Sequence, residues 1–91
     1  MGAVISIVRN KQAAWQQVED NIIVVTSQTR KMHILQGVGG RIWQLLENPV
    51  KQDELIAHIQ REYDALDWQI QEDVERFLKE LLEKTMIEIT G

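Results

Sequence analysis

The spacing of apolar residues changes once along this chain, and that change limits the fold classes that it can adopt. Residues 31–35 (Lys-Met-His-Ile-Leu) alternate between polar and apolar side chains, as a half-exposed strand does. After the glycine-rich residues 37–40, residues 41–46 (Arg-Ile-Trp-Gln-Leu-Leu) place their apolar side chains at helical spacing. We therefore expect the strands to precede the helices, which is an order typical of α+β domains.

Three segments in the first half of the chain predict strands. They are residues 3–8, the β-branched run at residues 22–26 and the alternating residues 31–35. The polar residues between the last two segments are of hairpin-loop length, so we expect an antiparallel meander of three strands. Residues 9–20 are polar and irregular, and both a short helix and a continued strand are compatible with them.

Three helices are predicted in the second half of the chain. The first is started by the glycines at residues 37, 39 and 40, which also end the sheet and permit close backbone approach. It ends before Pro49, which disfavours helical geometry in the residue that precedes it. The second covers about residues 51–63, where apolar side chains recur at helical spacing. The third covers about residues 68–84, and Asp67 is its predicted N-cap.

The end of the chain and its length complete the predicted architecture. Residues 86–89 form either a short closing strand or an extended tail. A chain of 91 residues can bury one apolar core without disulfides or metal. We therefore expect residues 1–91 to form a single α+β domain of winged helix-turn-helix-like type, with a three-stranded antiparallel sheet followed by three helices.

Composition excludes several classes of function. Without cysteine, the chain has no thiol nucleophile, disulfide or thiolate metal site. Its formal net charge of −4 disfavours a general nucleic-acid surface and binding to anionic membranes, because both need clustered basic residues. The longest apolar run, residues 22–25, is far too short to span a bilayer. These features favour a cytoplasmic domain without a cofactor or metal.

The residues capable of chemistry do not assemble into a catalytic set. Residues 37–40 (Gly-Val-Gly-Gly) lack the third glycine of a dinucleotide fingerprint and the Gly-Lys-Ser/Thr of a phosphate loop, so a strand-to-helix turn is expected. His58 lies one helical turn from Glu54 and Glu62, an arrangement that solvated helix faces often carry. Because no nucleophile is paired with a base, we expect no catalytic residues and no enzymatic activity.

The second and third helices are spaced like a helix-turn-helix, so DNA binding is an alternative function. Residues 68–84, the candidate recognition helix, carry three basic and five acidic side chains. The resulting charge of 3 − 5 = −2 has the wrong sign for a helix that enters a groove lined by phosphates. A winged-helix DNA-binding regulator is therefore the less favoured interpretation.

Several short segments, taken in order, resemble one known family. Residues 33–36 (His-Ile-Leu-Gln) and 39–46 (Gly-Gly-Arg-Ile-Trp-Gln-Leu-Leu) are similar to a strand ending in Leu-Asn that leads into Gly-Ala-x-Ile-Trp-x-Leu-Leu. Residues 48–64 resemble the second-helix segment of that family, and residues 73–88 resemble its closing helix and tail. Over about residues 20–90 the chain thus resembles the PqqD-like family, also called the RiPP recognition element.

The sequence departs from the family pattern where helices begin and end. Gln36 replaces the usual Asn and Val38 replaces a common Thr, which weakens the expected cap of the first helix. Lys51 stands where Ser or Thr usually caps the second helix, and Thr85 occupies the place of a frequent glycine after the last helix. Because the apolar positions are intact, these changes affect local stability more than function.

The resemblance implies that the protein binds a peptide. Family members bind the leader segment of a ribosomally made precursor peptide and present it to modifying enzymes. The leader adds as a further strand on the exposed edge of the third strand and lies beside the third helix. Periodicity does not sort the candidate contacts into peptide-facing and core-facing residues; they are Lys31, Met32, His33, Ile34, Leu35, Asp73, Val74, Arg76, Phe77, Leu78 and Leu81.

Two biosynthetic settings are compatible with the resemblance. The chain resembles the discrete partner protein of lasso-peptide biosynthesis, which works with a leader peptidase and a cyclase, and we favour this setting. It also resembles the discrete peptide chaperone of pyrroloquinoline quinone biosynthesis, whose partner is a radical enzyme. A structural subunit that docks on a larger enzyme through its sheet edge is a third interpretation. An uncovered edge is compatible with a monomer and with an edge-paired dimer.

Overall fold

The computed structural model of the protein describes residues 5–28 and 30–90. Within them it has the predicted α+β architecture, with a three-stranded antiparallel sheet and three helices. The elements are, in chain order, β1 (Ser6–Arg9), β2 (Ala14–Val18), β3 (Asn21–Val25), β4 (Met32–Leu35), α1 (Gly37–Leu45), α2 (Gln52–Glu62), α3 (Asp67–Glu83) and β5 (Ile87–Thr90).

The three-stranded sheet is built from a different set of strands than the sequence predicted. Its order is β2-β3-β4, whereas β1 pairs with β5 in a separate two-stranded sheet. Residues 9–20 therefore contain a strand, and because all five residues of β2 are exposed, apolar alternation could not reveal it. In the second sheet Ile7 lies opposite Ile89 and also exchanges two backbone hydrogen bonds with Val50. Residues 3 and 4 of the predicted first strand lie outside the described residues.

The helices begin and end close to the predicted positions. α1 starts at Gly37, among the glycines that were expected to end the sheet and start the first helix. Gly37 has a φ of +55°, in the left-handed region that favours glycine. The prediction that Asp67 is the N-cap of α3 was wrong, since Asp67 is the first helical residue and Leu66 precedes it without a side-chain cap. The Asp67 carboxylate still lies at the positive end of the helix dipole. α1 and α2 also lack side-chain caps, which agrees with the expectation that Gln36 and Lys51 are weak caps at these positions.

One apolar core lies between the sheets and the helices. Trp43 is fully buried in it, as predicted, whereas Trp15 and Trp68 are 43% and 62% exposed. Of the two alternatives for the end of the chain, the closing strand is correct, and β5 contributes to this core. The core residues are Ile7, Ile22, Val24, Leu35, Ile42, Trp43, Leu46, Leu55, Ile56, Ile59, Ile70, Val74, Leu78, Leu81, Met86 and Ile87.

Arg9 joins β1 to the end of α1. Its Nε donates a 2.7 Å hydrogen bond to the carbonyl oxygen of Trp43, and a terminal nitrogen donates to that of Gln44 at 3.3 Å. The guanidinium carbon lies 4.5 Å from the ring centre of Trp15 and 5.2 Å from that of Trp43. Arg9 thus satisfies carbonyl groups near the helix end, whose negative dipole favours a cation, and holds the two indole rings together.

Thr85 ends α3 in a backbone conformation that glycine usually supplies. Its φ is +56°, in the left-handed region, where a β-branched residue is strained. The amide of Thr85 donates to the Leu82 carbonyl at 3.1 Å, and the amide of Met86 donates to the Leu81 carbonyl at 2.9 Å. These two bonds form a Schellman motif with Thr85 at the position after the cap. The departure from the family pattern at Thr85 therefore lies at a strained position.

Thr85→Gly is expected to stabilise the protein by about 1 kcal/mol, because glycine removes the steric cost of the left-handed conformation. The measurement is the free energy of unfolding from urea titration followed by circular dichroism. Thr90→Gly is the matched control, since Thr90 lies in β5 and glycine weakens a strand. A Thr85→Gly variant less stable than wild type would contradict the assignment of strain to this residue.

Candidate functional site

β4 is a terminal strand of the three-stranded sheet. Its inner edge pairs with β3 through the residue pairs Ile22–Leu35, Ile23–Ile34, Val24–His33 and Val25–Met32. Within residues 5–28 and 30–90, no strand pairs with its outer edge. A strand in this position presents backbone donors and acceptors to an incoming chain. β2 is the other terminal strand, so the position of α3 must distinguish the two edges.

Successive residues of β4 point to opposite faces of the sheet. Leu35 is buried and His33 is half-buried, and both lie on the face that packs against the helices. Met32 and Ile34 lie on the other face and are 65% and 58% exposed. We call the face of β4 that carries His33 and Leu35 the inner face, and the face that carries Met32 and Ile34 the outer face.

α3 lies beside the inner face of β4 and runs in the opposite direction. Phe77 packs on the first turn of α1, directly after β4, and a methyl group added at Gly39 would lie only 3.0 Å from its Cζ. Seven residues further along, Lys84 is close enough to His33 to affect the titration of the imidazole. The flank of α3 from Phe77 to Lys84 thus runs from the residues that follow β4 toward His33 on the inner face of β4. We call the strip between this flank and β4 the β4–α3 groove.

His33 is the titratable side chain on the inner face of β4. Its pKa is lowered from the ordinary value for histidine, chiefly because burial disfavours the charged ring, and secondly because Lys84 and Lys31 repel a positive charge. The imidazole is therefore neutral at pH 7. A neutral His33 presents a half-buried ring, and not a cation, to the β4–α3 groove.

The structure divides the predicted contact residues into an accessible group and a buried group. Four of the eleven are core residues, less than a tenth exposed, and make no surface: Leu35, Val74, Leu78 and Leu81. Phe77 and His33 are half-buried at the β4–α3 groove. The remaining predicted residues are exposed: Lys31, Met32, Ile34, Asp73 and Arg76. Asp73 and Arg76 are one helical turn apart and form an ion pair with each other.

The chain is similar to known proteins in both sequence and structure. Residues 21–87 match the family described as Coenzyme PQQ synthesis protein D (PqqD). The chain belongs to the PqqD family. Among solved structures it is similar to TbiB1 in complex with the TbiA(beta) leader peptide, with 27% sequence identity and a TM-score of 0.80. That likeness covers 89% of this chain and 94% of that chain. A search of curated proteins finds no match. The resemblance seen in the sequence is confirmed.

In this PqqD-family protein His58 belongs to an ion-pair network between helices. Glu62 accepts hydrogen bonds of 2.9 Å from Nε and from a terminal nitrogen of Arg41, so α1 and α2 are joined. The other bond to Glu62, also 2.9 Å, comes from His58 Nε2. Among the described residues, no group of three or more potential ligands is placed to hold a metal ion. The sequence placed His58 near Glu62 on one helix face. The structure adds Arg41 to this pair, and helical spacing could not show that contact because Arg41 lies on a different helix.

Glu62→Gln is expected to lower the melting temperature near neutral pH and to have no such effect in strong acid. Hydrogen bonds from Arg41, in first place, lower the pKa of Glu62 from 4.5 to about 2. A carboxyl with a depressed folded-state pKa contributes stability above its unfolded pKa, and this contribution is lost as the pH falls from about 4.5 to about 2. Thermal unfolding of both proteins at about pH 6, 4 and 2 measures it. A difference that persists at about pH 2 would contradict this origin.

Two surface depressions of the PqqD-family protein are lined neither by β4 nor by Phe77. One of about 490 Å³ is lined by Ile5, Ile56 and residues of α2 and α3, and one of about 450 Å³ is lined by Asp20, Arg41 and Tyr63 among others. The site described above consists of the edge of β4 and a flank of α3. No helix in the described part of the chain is long and apolar enough to cross a membrane.

Two residues of the site were missed by the sequence analysis. Gly39 was assigned to the glycines that start the first helix and permit close backbone approach, but not to the site, where its missing side chain makes room for the Phe77 ring. Lys84 was assigned only to the end of a helix, yet it lies near His33. The spacing of the resemblance contained a signal for Gly39, since a small residue follows the third strand in the family pattern. Nothing in the sequence placed Lys84 beside β4.

Proposed function

We propose that this protein binds the leader segment of a ribosomally synthesised precursor peptide as an added strand on the outer edge of β4. The observation that carries the proposal is the outer edge of β4, with which no strand of the described residues pairs, together with the flank of α3 beside it. The likeness to TbiB1, whose structure contains a leader peptide, supports the same ligand class. Strand addition uses backbone hydrogen bonds for affinity and the adjoining surface for specificity.

The accessible residues have distinct roles in this proposal. Leader side chains that point inward would contact the half-buried Phe77 and His33 in the β4–α3 groove. Asp73 and Arg76 would supply polar contacts at its border, since an exposed ion pair costs little to rearrange. The buried residues among the predicted contacts would act only by fixing the position of α3. A dissociation constant near 1 μM, about −8 kcal/mol, suits a site of this kind.

The role that we propose is delivery, without catalysis by the protein itself. In the favoured setting the bound leader is presented to a leader peptidase and a cyclase in the cytoplasm, as in lasso-peptide biosynthesis. In the alternative setting the recipient is a radical enzyme, as in pyrroloquinoline quinone biosynthesis. Reading frames that neighbour the gene distinguish the two, because a short precursor beside a peptidase and a cyclase belongs to the first setting only.

DNA binding has less support than peptide binding. α3 carries Arg76 and Lys79 against six acidic side chains, which are Asp67, Glu72, Asp73, Glu75, Glu80 and Glu83. The charge of the helix is therefore 2 − 6 = −4, and a duplex would repel it. Retardation of duplex DNA that weakens steeply with added salt would reverse this preference.

The proposal is tested by titrating ¹⁵N-labelled protein with the synthetic leader of the precursor encoded beside the gene. We expect amide shifts concentrated at residues 31–35 and on the α3 flank around Phe77, with saturation in the micromolar range. Shifts confined to residues 14–18 would place the added strand on β2 instead. Absence of shifts at residues 31–35 would overturn the proposal. A scrambled peptide of the same composition is the control for nonspecific apolar binding.

A further inference from the structure

The outer face of β4 continues an uncharged and mainly apolar surface across the three-stranded sheet. In the strand register, Met32 lies opposite Val25, and Val25 lies opposite Ala14. Ile34 lies opposite Ile23 in the same way. Within β2, β3 and β4 the side chains on this outer face include no charged residue. Two are polar, Gln16 and Asn21, and the others are Ala14, Val18, Ile23, Val25, Met32 and Ile34.

This surface is unusual in its exposure. The solvated face of an antiparallel sheet is normally polar, so that apolar residues alternate with polar ones along each strand. Here Met32 and Ile34, the two outer-face residues of the terminal strand β4, are 65% and 58% exposed. On the inner side, by contrast, charged side chains are near Phe77 along α3: Asp73 lies one turn before it, Arg76 precedes it directly and Lys84 lies two turns after it. The apolar surface thus lies on the side of β4 that faces away from α3.

An added strand necessarily presents side chains to both faces. Its successive residues alternate between the two sides of the sheet, and each lies about 4.5–5.5 Å from the β4 residue opposite it on the same face. Half of the side chains in the paired segment therefore lie beside Met32 and Ile34, whichever direction the added strand runs. An apolar side chain there would cover the exposed apolar surface, whereas a charged one would lie beside it without a partner.

We infer that Met32 and Ile34 are specificity-determining residues which select apolar side chains at the outward positions of the leader. The inference rests on the proposed function, since it concerns the same added strand. It adds that the leader segment is recognised on both of its faces. The ligand class is therefore an extended segment with apolar residues at its outward positions, and not one with a polar solvent-facing side.

The test begins with selection from a phage-displayed library of random peptides of about twelve residues. We expect enriched peptides whose outward positions, defined by chemical-shift mapping of one selected peptide, are apolar. Absence of peptides that shift residues 31–35 would count against the proposed function itself. The inference would be overturned, and the proposed function left intact, by peptides that bind at β4 and show a selected residue type only at their inward positions.

The second step tests whether a basic side chain at position 34 changes the preference of the protein from an apolar to an acidic outward residue of the peptide. A selected peptide is compared with a version that carries Glu at the outward position beside Ile34, against wild type and Ile34→Lys. We expect the Glu peptide to bind wild type about two- to fivefold more weakly than its parent, and Ile34→Lys to reverse that order. The matched control is Val18→Lys, an outer-face residue on β2 that is 42% exposed and about 14 Å from the added strand. Equal peptide preference in wild type and Ile34→Lys would overturn the inference.

Discussion

Leu81→Ala is expected to lower the free energy of unfolding by about 2–5 kcal/mol and to leave the leader affinity of the folded protein unchanged. The side chain is 2% exposed and belongs to the core that α3 shares with the sheets. Truncation removes buried apolar contacts and leaves a cavity that the surrounding side chains fill only in part. Because domains of this kind are stable by about 5–15 kcal/mol, the loss is a large fraction of the total.

The measurement for Leu81→Ala combines urea unfolding with leader titration at a low temperature where the variant is folded. Leu82→Ala is the control, because the neighbouring side chain is 41% exposed and its truncation costs less. The sequence analysis included Leu81 among the candidate peptide contacts, so the result decides between two roles. A tenfold loss of affinity without a loss of stability would assign Leu81 to the leader surface.

Phe77→Ala is expected to weaken leader binding by about tenfold or more, with a smaller loss of stability than Leu81→Ala. The ring is half-buried, packs on Gly39 and borders the β4–α3 groove. Aromatic residues in such positions are frequent hot spots, worth about 2 kcal/mol or more in alanine scans. Removing the ring would also leave the space above Gly39 empty, so inward leader side chains would lose their apolar neighbour.

Isothermal titration calorimetry with the leader peptide measures the effect of Phe77→Ala. Trp68→Ala is the matched control, since nine residues are two and a half helical turns and place Trp68 on the opposite side of α3. Trp68 is 62% exposed, so its loss changes the apolar surface of the helix but not the groove. Equal losses of affinity in the two variants would contradict the proposed location of the leader.

Strong local signals in the sequence predicted most of the elements. β3 and the three helices follow from a β-branched run and from apolar residues at helical spacing. β2 carries no such signal, because its five residues are all exposed and its pairing with β3 depends on position in the fold. The partner of β1 could not be predicted either, since it lies about eighty residues away along the chain.

The candidate site was predicted as a region and not residue by residue. α3 has a wide apolar stripe, and spacing alone treats Val74, Phe77 and Leu81 as equivalent. The packing of α3 against the sheets separates them, because Val74 and Leu81 are buried whereas Phe77 reaches the groove. The left-handed conformation at Thr85 could be suspected from the family pattern. The bonds from the Thr85 amide to Leu82 and from the Met86 amide to Leu81 are visible only in the structure.

The sequence by itself determined the order of most elements, the core position of Trp43, the acidic character of α3 and membership of the PqqD family. These properties depend on local periodicity, composition and short motifs, which are present before the chain folds. The tertiary structure decided which strands form the sheet, that β4 is left as an edge and which flank of α3 lies beside it. Those properties depend on contacts between distant residues, and each is fixed by the packing of the whole core.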